Sequence, residues 1–214
     1  MSPLYIRRNP PFSKRENESV ADQPVQALRK PRADAARNRE LLLATAKRVF
    51  GEKGPAASLD EIAKAAGVGI GTLYRHFPTR DALVEQVYRN ETTQLAEAAL
   101  RLAETEPPVE ALRQWLCLFV DYFATKQTMA AALRASAGGS ATLYAFSTAL
   151  LSTSLTTLAG RAVQSGEIQM NVEPLDLLRA ISGVANLSAA PGWEQNAKQL
   201  VDILIAGMRA SKTA

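Results

Sequence analysis

The stretch from Leu59 to Leu83 constrains this chain most: L-D-E-I-A-K-A-A-G-V-G-I-G-T-L-Y-R-H-F-P-T-R-D-A-L. Just before it, Ser58 followed by Glu61 forms a capping box, the pairing that satisfies the first free amides of a helix. Leu59, Ile62, Ala63 and Ala66 then repeat as one apolar stripe. Gly67-Val68-Gly69 supplies a tight turn. Gly67 tolerates a positive φ, and Val68 plugs the angle between two helices. A second short helix runs from about Ile70 to His76 and is closed by Pro78. Thr79 caps a further helix, with Asp81 in its first turn. Short helix, glycine turn, short helix is the pattern of a helix-turn-helix, which sets its second helix in a DNA major groove.

The flanks are helical too. Asp34 is placed to cap a helix in which Leu42, Leu43, Ala46, Val49 and Phe50 share one face. Gly51, Gly54 and Pro55 end it. The helix capped by Thr79 continues through Leu83, Val84, Val87, Tyr88, Leu95 and Leu102, long enough to leave the head and enter a second domain. After Pro107 and Pro108, helical segments follow at about 108–125, 127–136, 140–165, 174–189 and 195–210. Gly138-Gly139, Gly166, Pro174 and Pro191-Gly192 separate them. Residues 1–32 carry five prolines among mixed charges without a hydrophobic period, as expected of a flexible basic arm. Its end, Arg29-Lys30-Pro31-Arg32, suits either entry into a minor groove or a solvated linker. The expected layout is the arm over 1–32, a helix-turn-helix domain over 33–90 and a helical domain over 91–214.

Composition agrees with an all-α fold. Hydrophobic residues make up 47% and aromatics only 6%, which favours packed helices over a β-sandwich. Residues 1–90 hold 16 Lys and Arg against 10 Asp and Glu, whereas residues 91–214 hold 9 against 11. That asymmetry fits a nucleic-acid-binding portion joined to a neutral or acidic one. The single cysteine, Cys117, lies in the apolar run W-L-C-L-F-V; no intramolecular disulfide is possible, and a reducing cytoplasm is expected. Residues 135–160 are uncharged, but ten Ser and Thr interrupt them, so they read as a buried helix and not as a membrane span.

From Arg39 to Leu83 the pattern resembles the tetracycline-repressor (TetR) family of bacterial transcriptional regulators. The resemblance rests on R-E-L-L-L-A-T-A-K-R-V-F, E-K-G, S-L-D-E-I-A-K-A-A-G-V-G-I-G-T-L-Y-R-H-F and P-T-R-D-A-L, in that order. It departs mildly from family usage at Pro55-Ala56-Ala57. Gly69, Ile70, Gly71 and Thr72 lie at the groove end of the second motif helix. Gly71 lets the DNA approach closely, and Thr72 suits a base edge or a thymine methyl. By the resemblance, Tyr74 and His76 contact phosphate, with Arg75 a long cation nearby. His76 also suits a helix C-terminal cap, and Tyr74 a divided role between packing and its hydroxyl. Ser58 and Arg80 match positions that hold the DNA backbone from the starts of two helices. With two glycines at the groove end, shape and phosphate carry much of the specificity.

The C-terminal half implies, by the same resemblance, a domain that binds a small effector and forms a homodimer. Leu175, Leu178, Ile181 and Val184 make one apolar stripe, and Leu200, Leu204 and Met208 another. Each serves either a dimer interface or an internal core. Trp115, Phe119, Tyr122, Phe123, Tyr144 and Phe146 are candidates to line a pocket. Few charges lie nearby, so a neutral or apolar effector is expected. The function implied is a repressor on a palindromic operator in double-stranded DNA, released by the effector and needing no cofactor or metal. One histidine, one cysteine and no G-x-S-x-G, P-loop or G-x-G-x-x-G motif argue against an enzyme. The alternative is a helical protein-interaction module whose helix-turn-helix does not bind DNA.

Overall fold

A computed structural model describes residues 26–135, 140–187 and 192–209. These form eight α-helices: α1 (Gln26–Lys53), α2 (Leu59–Ala65), α3 (Ile70–His76), α4 (Arg80–Thr105), α5 (Pro108–Ala135), α6 (Ser140–Gln164), α7 (Pro174–Leu187) and α8 (Trp193–Met208). One 3-10 turn, Gly54–Ala56, follows α1. The all-α expectation holds.

The head is α1 to α3 with the start of α4. Leu42, Leu43, Ala46, Val49 and Phe50 of α1 are buried against Ile62 and Ala63 of α2, Leu73 of α3, and Leu83 and Val84 of α4. Phe77, just beyond α3, closes this core at 1% exposure. Arg39 lies over the Phe77 ring, 5.7 Å from its centroid, and donates to Gln86 Oε1 on α4 at 2.6 Å.

Two sequence expectations need correction. The first helix begins at Gln26, so Asp34 lies inside it instead of capping it. Gln26, Ala27, Leu28, Arg29 and Lys30 are strong helix formers, and α1 runs on through Pro31, which lacks the N–H that would bond the Ala27 carbonyl but does not end the helix. Residues 26–32 of the expected arm are therefore helical, and the rest of the arm lies outside the described residues. Second, the segments expected at 108–125 and 127–136 are one helix, α5. Its threonines do not interrupt it, because Thr125 and Thr128 turn their hydroxyls back onto the carbonyls of Asp121 and Thr125.

In the body, α5 is the central helix and packs against α1, α4, α6, α7 and α8. Trp115 is fully buried on it, and its indole N–H donates to the Leu95 carbonyl of α4 at 2.9 Å. Helix α6, uncharged until Arg161 in its last turn, handles its hydroxyls in the same way as α5: Ser152, Thr153, Ser154 and Thr157 all donate to carbonyls of their own helix. No described helix is long and apolar enough to cross a membrane. The end of α8 is tied to the loop before α7, where Gln169 N–H donates to the Met208 carbonyl at 2.8 Å.

Candidate nucleic-acid interface

The motif is held together by local hydrogen bonds. Ser58 Oγ accepts from Glu61 N–H at 3.2 Å, and Glu61 Oε2 accepts from Ser58 N–H at 3.1 Å. Lys53 donates to the other Glu61 oxygen at 2.6 Å. Lys53 and the Ser58 amide hold the Glu61 carboxyl below its ordinary range. The cap uses Ser58 Oγ as an acceptor, which leaves its O–H as a donor for an outside oxygen. Gly67 takes φ +67, the left-handed conformation the turn requires. Val68 is half-buried against the core, as expected of a plug. Thr79 Oγ1 accepts from Ala82 N–H at 3.0 Å and starts α4.

Helix α3 has one face turned in and one out. Leu73 is fully buried. Ile70 and Tyr74, one turn apart, are 37% and 49% exposed, and Gly71 and Arg75 extend this outer face. Thr72 and His76 are half-buried on its flank. The side chains of Thr72, Tyr74, Arg75 and His76 hydrogen-bond to none of the described residues, so their polar groups are available to a partner. His76 makes no cap bond and meets Phe77, ring centroids 6.1 Å apart.

The two glycines are informative by what surrounds them. A Cβ added at Gly69 or Gly71 meets nothing within 4 Å, and neither has a positive φ. Nothing in the chain's own packing or backbone requires glycine there. Gly71 lies inside a helix, where glycine costs about 0.5–1 kcal/mol relative to alanine.

Arg80 is more committed than the sequence implied. Its Nε donates to the Ala57 carbonyl at 3.4 Å, and its Nη2 to the carbonyls of Pro55 at 3.2 Å and Gly54 at 3.5 Å. The guanidinium also sits 5.0 Å from the centroid of the Phe50 ring. Arg80 thus clamps the 3-10 turn onto the start of α4, and the unusual Pro55-Ala56-Ala57 loop is the element it holds.

Away from the head, a cavity of about 250 Å3 opens between α5, α6 and α7. Phe119, Tyr122 and Phe123 line it, as expected. The other three candidates do not. Trp115 is sealed in the core, Tyr144 stacks edge-on against Tyr88, and Phe146 carries the guanidinium of Arg89. Sequence reasoning missed Ser147, Thr148 and Leu151 of α6, Ser182 of α7, and two cations, Lys126 and Arg179. It sought aromatics, and nothing in the sequence marks which turn of a long helix faces a void. Leu175 and Leu178, read as one end of a dimer stripe, are cavity wall.

Two hydrogen bonds join this wall to α4. Tyr88 OH pairs with Ser147 Oγ at 2.8 Å, and Thr92 Oγ1 with Tyr122 OH at 3.2 Å. Burial pushes the Tyr88 phenol well above its ordinary range, so it stays neutral.

The candidate dimer residues divide. Ile181 is fully buried in this chain's own core, a correction to its assignment to an outer face. Leu200, Leu204 and Met208 are half-buried at the surface of α8. Ile203 was missed, and it is 66% exposed beside them.

The chain matches two family models in order: bacterial regulatory proteins of the tetR family over residues 42–87, and the SbtR-like transcriptional regulator C-terminal domain over residues 107–210. Among solved structures it is similar to a TetR transcriptional regulator from Streptomyces coelicolor, 43% identical with a TM-score of 0.74, covering 82% of this chain and 99% of that one. A TetR regulatory protein from Mycobacterium vanbaalenii is 30% identical with a TM-score of 0.70, covering 84% and 99%. A curated helix-turn-helix-type transcriptional regulator from Mycobacterium tuberculosis is 39% identical over 84 residues, and there the match spans only 42% of the relative's length. With both domain models matched and a 43% identical relative covered almost end to end, this chain belongs to the TetR family of helix-turn-helix transcriptional regulators.

Proposed function

We propose that this regulator is a cytoplasmic, homodimeric repressor that leaves a palindromic operator when a small effector fills the cavity of its body. Residues 33–90 act as the DNA-reading head and residues 91–214 as the effector-binding and dimerising body. Each subunit lays α3 in a major groove. Ile70, Thr72 and Arg75 address bases, and Gly69 and Gly71 allow close approach. Tyr74, His76 and the Ser58 hydroxyl reach phosphates, while Arg80 braces the surface that does so. Leu200, Ile203, Leu204 and Met208 of α8, with the outer face of α7, meet their copies across a two-fold axis.

The observation that carries the ligand response is the pair of hydrogen bonds from α4 into the cavity wall, Tyr88 to Ser147 and Thr92 to Tyr122. One helix thereby belongs to both the head and the wall, so filling the cavity shifts the spacing of the two heads. DNA affinity falls when both half-sites cannot be engaged together.

A gel-shift titration with the DNA upstream of its own gene tests the DNA reading. A salt-sensitive shift by a dimer is expected. Absence of any shift at low salt overturns it in favour of a helical interaction module. Tyr88→Phe tests the coupling: it should retain operator binding while blunting release by an effector, and an unchanged release would break the proposed link.

A further inference from the structure

The cavity in the body has a charge character that the other clefts lack. Two further clefts line the surface between α1, α4 and α5, and each mixes cations with carboxylates: Lys47 and Arg101 with Glu91 and Asp121 in one, Lys47 and Arg48 with Glu52 in the other. The cavity between α5, α6 and α7 has Lys126 and Arg179 in its lining and no carboxylate.

Lys126 is the inner of the two cations. It is half-buried, its ammonium lies 4.5 Å from the Tyr144 ring centroid and 5.8 Å from that of Phe123, and no described carboxylate is within ion-pair reach. Ring faces attract an ammonium but do not supply the oxygen acceptors its N–H groups lost on leaving water. Burial accordingly pushes the Lys126 amine below its ordinary range. Arg179 sits at the mouth and is partly neutralised by Asp176 at 2.7 Å. The hydroxyls of Thr148 and Ser182 also line the space and hydrogen-bond to none of the described residues. The remaining wall is apolar, with Phe119 and Leu151 among its members.

On the reading that this cavity is the effector site, we infer that its ligand is a small monocarboxylic acid with an apolar body, the carboxylate held by Lys126 and the body packed between Phe119 and Leu151. A single negative charge balances the Lys126 ammonium, whereas a dianion overfills it. At about 250 Å3 the space lies below the range of drug-sized sites, which sets a small ligand.

Calorimetric titration and thermal melting of the full-length protein test this with phenylacetate and hexanoate against their neutral isosteres, phenylacetamide and hexanamide. The acids should bind about tenfold or more tighter than the amides, as expected of a charge-assisted hydrogen bond in a half-buried site. Lys126→Gln should bring acid binding down to the amide level, and Lys126→Arg should preserve most of it. Ser182→Phe, which fills the cavity, should abolish binding of both. Equal affinity for acids and amides, or undiminished acid binding by Lys126→Gln, overturns the acid assignment and leaves the cavity as an effector site. Acid binding that survives Ser182→Phe lies elsewhere and overturns the effector-site reading together with the assignment. If no probe binds the unaltered protein, the acid assignment falls.

Discussion

The head and the body obey the same helical rules and differ in where their information sits. In the head, the helix ends are fixed by groups close in sequence: a capping box from Ser58 to Glu61, a left-handed glycine at 67, a threonine cap at 79 where α4 starts. Its outward residues are those that its inward residues leave over. In the body, α5 and α6 carry apolar residues around much of their circumference while α7 and α8 carry stripes, and only packing decides which faces meet a core, a void or a second subunit. Local chemistry therefore specifies a surface in the head, whereas in the body a surface emerges from the assembly.

The strongest test of this contrast is Trp115→Ala. A fully buried indole with its N–H satisfied should cost about 3–5 kcal/mol on truncation, measured by denaturant unfolding. A loss under about 1 kcal/mol would return Trp115 to a cavity wall. Next comes Tyr74→Ala, which removes a side chain that is 49% exposed. It should weaken operator binding by about tenfold or more across sequences, roughly 1.4 kcal/mol, and leave the melting temperature unchanged. A drop in melting temperature instead would mean that the ring packs and does not reach out. Thr72→Ala should change which bases are preferred more than overall affinity, as read by binding-site selection.

Gly71→Ala sharpens the comparison further, because fold and function should move in opposite directions. A Cβ there meets nothing, so the head should gain about 0.5–1 kcal/mol of stability. The same methyl group should obstruct DNA, and operator affinity should fall. If both rise together, the glycine is not reserved for the groove. The smallest effect concerns Glu61, whose folded carboxyl is held low by Lys53 and the Ser58 amide. A depressed carboxyl contributes stability above its ordinary range, about 4.3, and that contribution is lost as pH falls through the lower folded value. Lys53→Met should shift this acid loss upward in pH, visible in melts monitored by helicity, and an unshifted curve would show that the lysine is a bystander.

The fold class, the motif helices and their caps were legible in the sequence because each rests on residues three or four positions apart. The start of α1 was not, since residues 26–32 show no hydrophobic period to mark them as helical. Three of the eleven residues that line the cavity were legible. Phe119, Tyr122 and Phe123 share one face of α5, but Lys126 lies on that face too and was passed over in a search for aromatics. Ile181 was misplaced because a stripe of period 3.6 names a face without saying what lies opposite it. The clamp of Arg80 on the Pro55 loop became visible only when residues over twenty apart came together.

Helix α4 contains neither glycine nor proline across its 26 residues. At about 1.5 Å per residue it is a stiff rod of about 39 Å. Tilting such a rod by about 3° at one end carries the other end about 2 Å, the difference between a made and a broken hydrogen bond to a phosphate. On the proposed reading of the cavity as an effector site, a shift of α4 at Tyr88 and Thr92, pivoting about its far end, would be enlarged at the head.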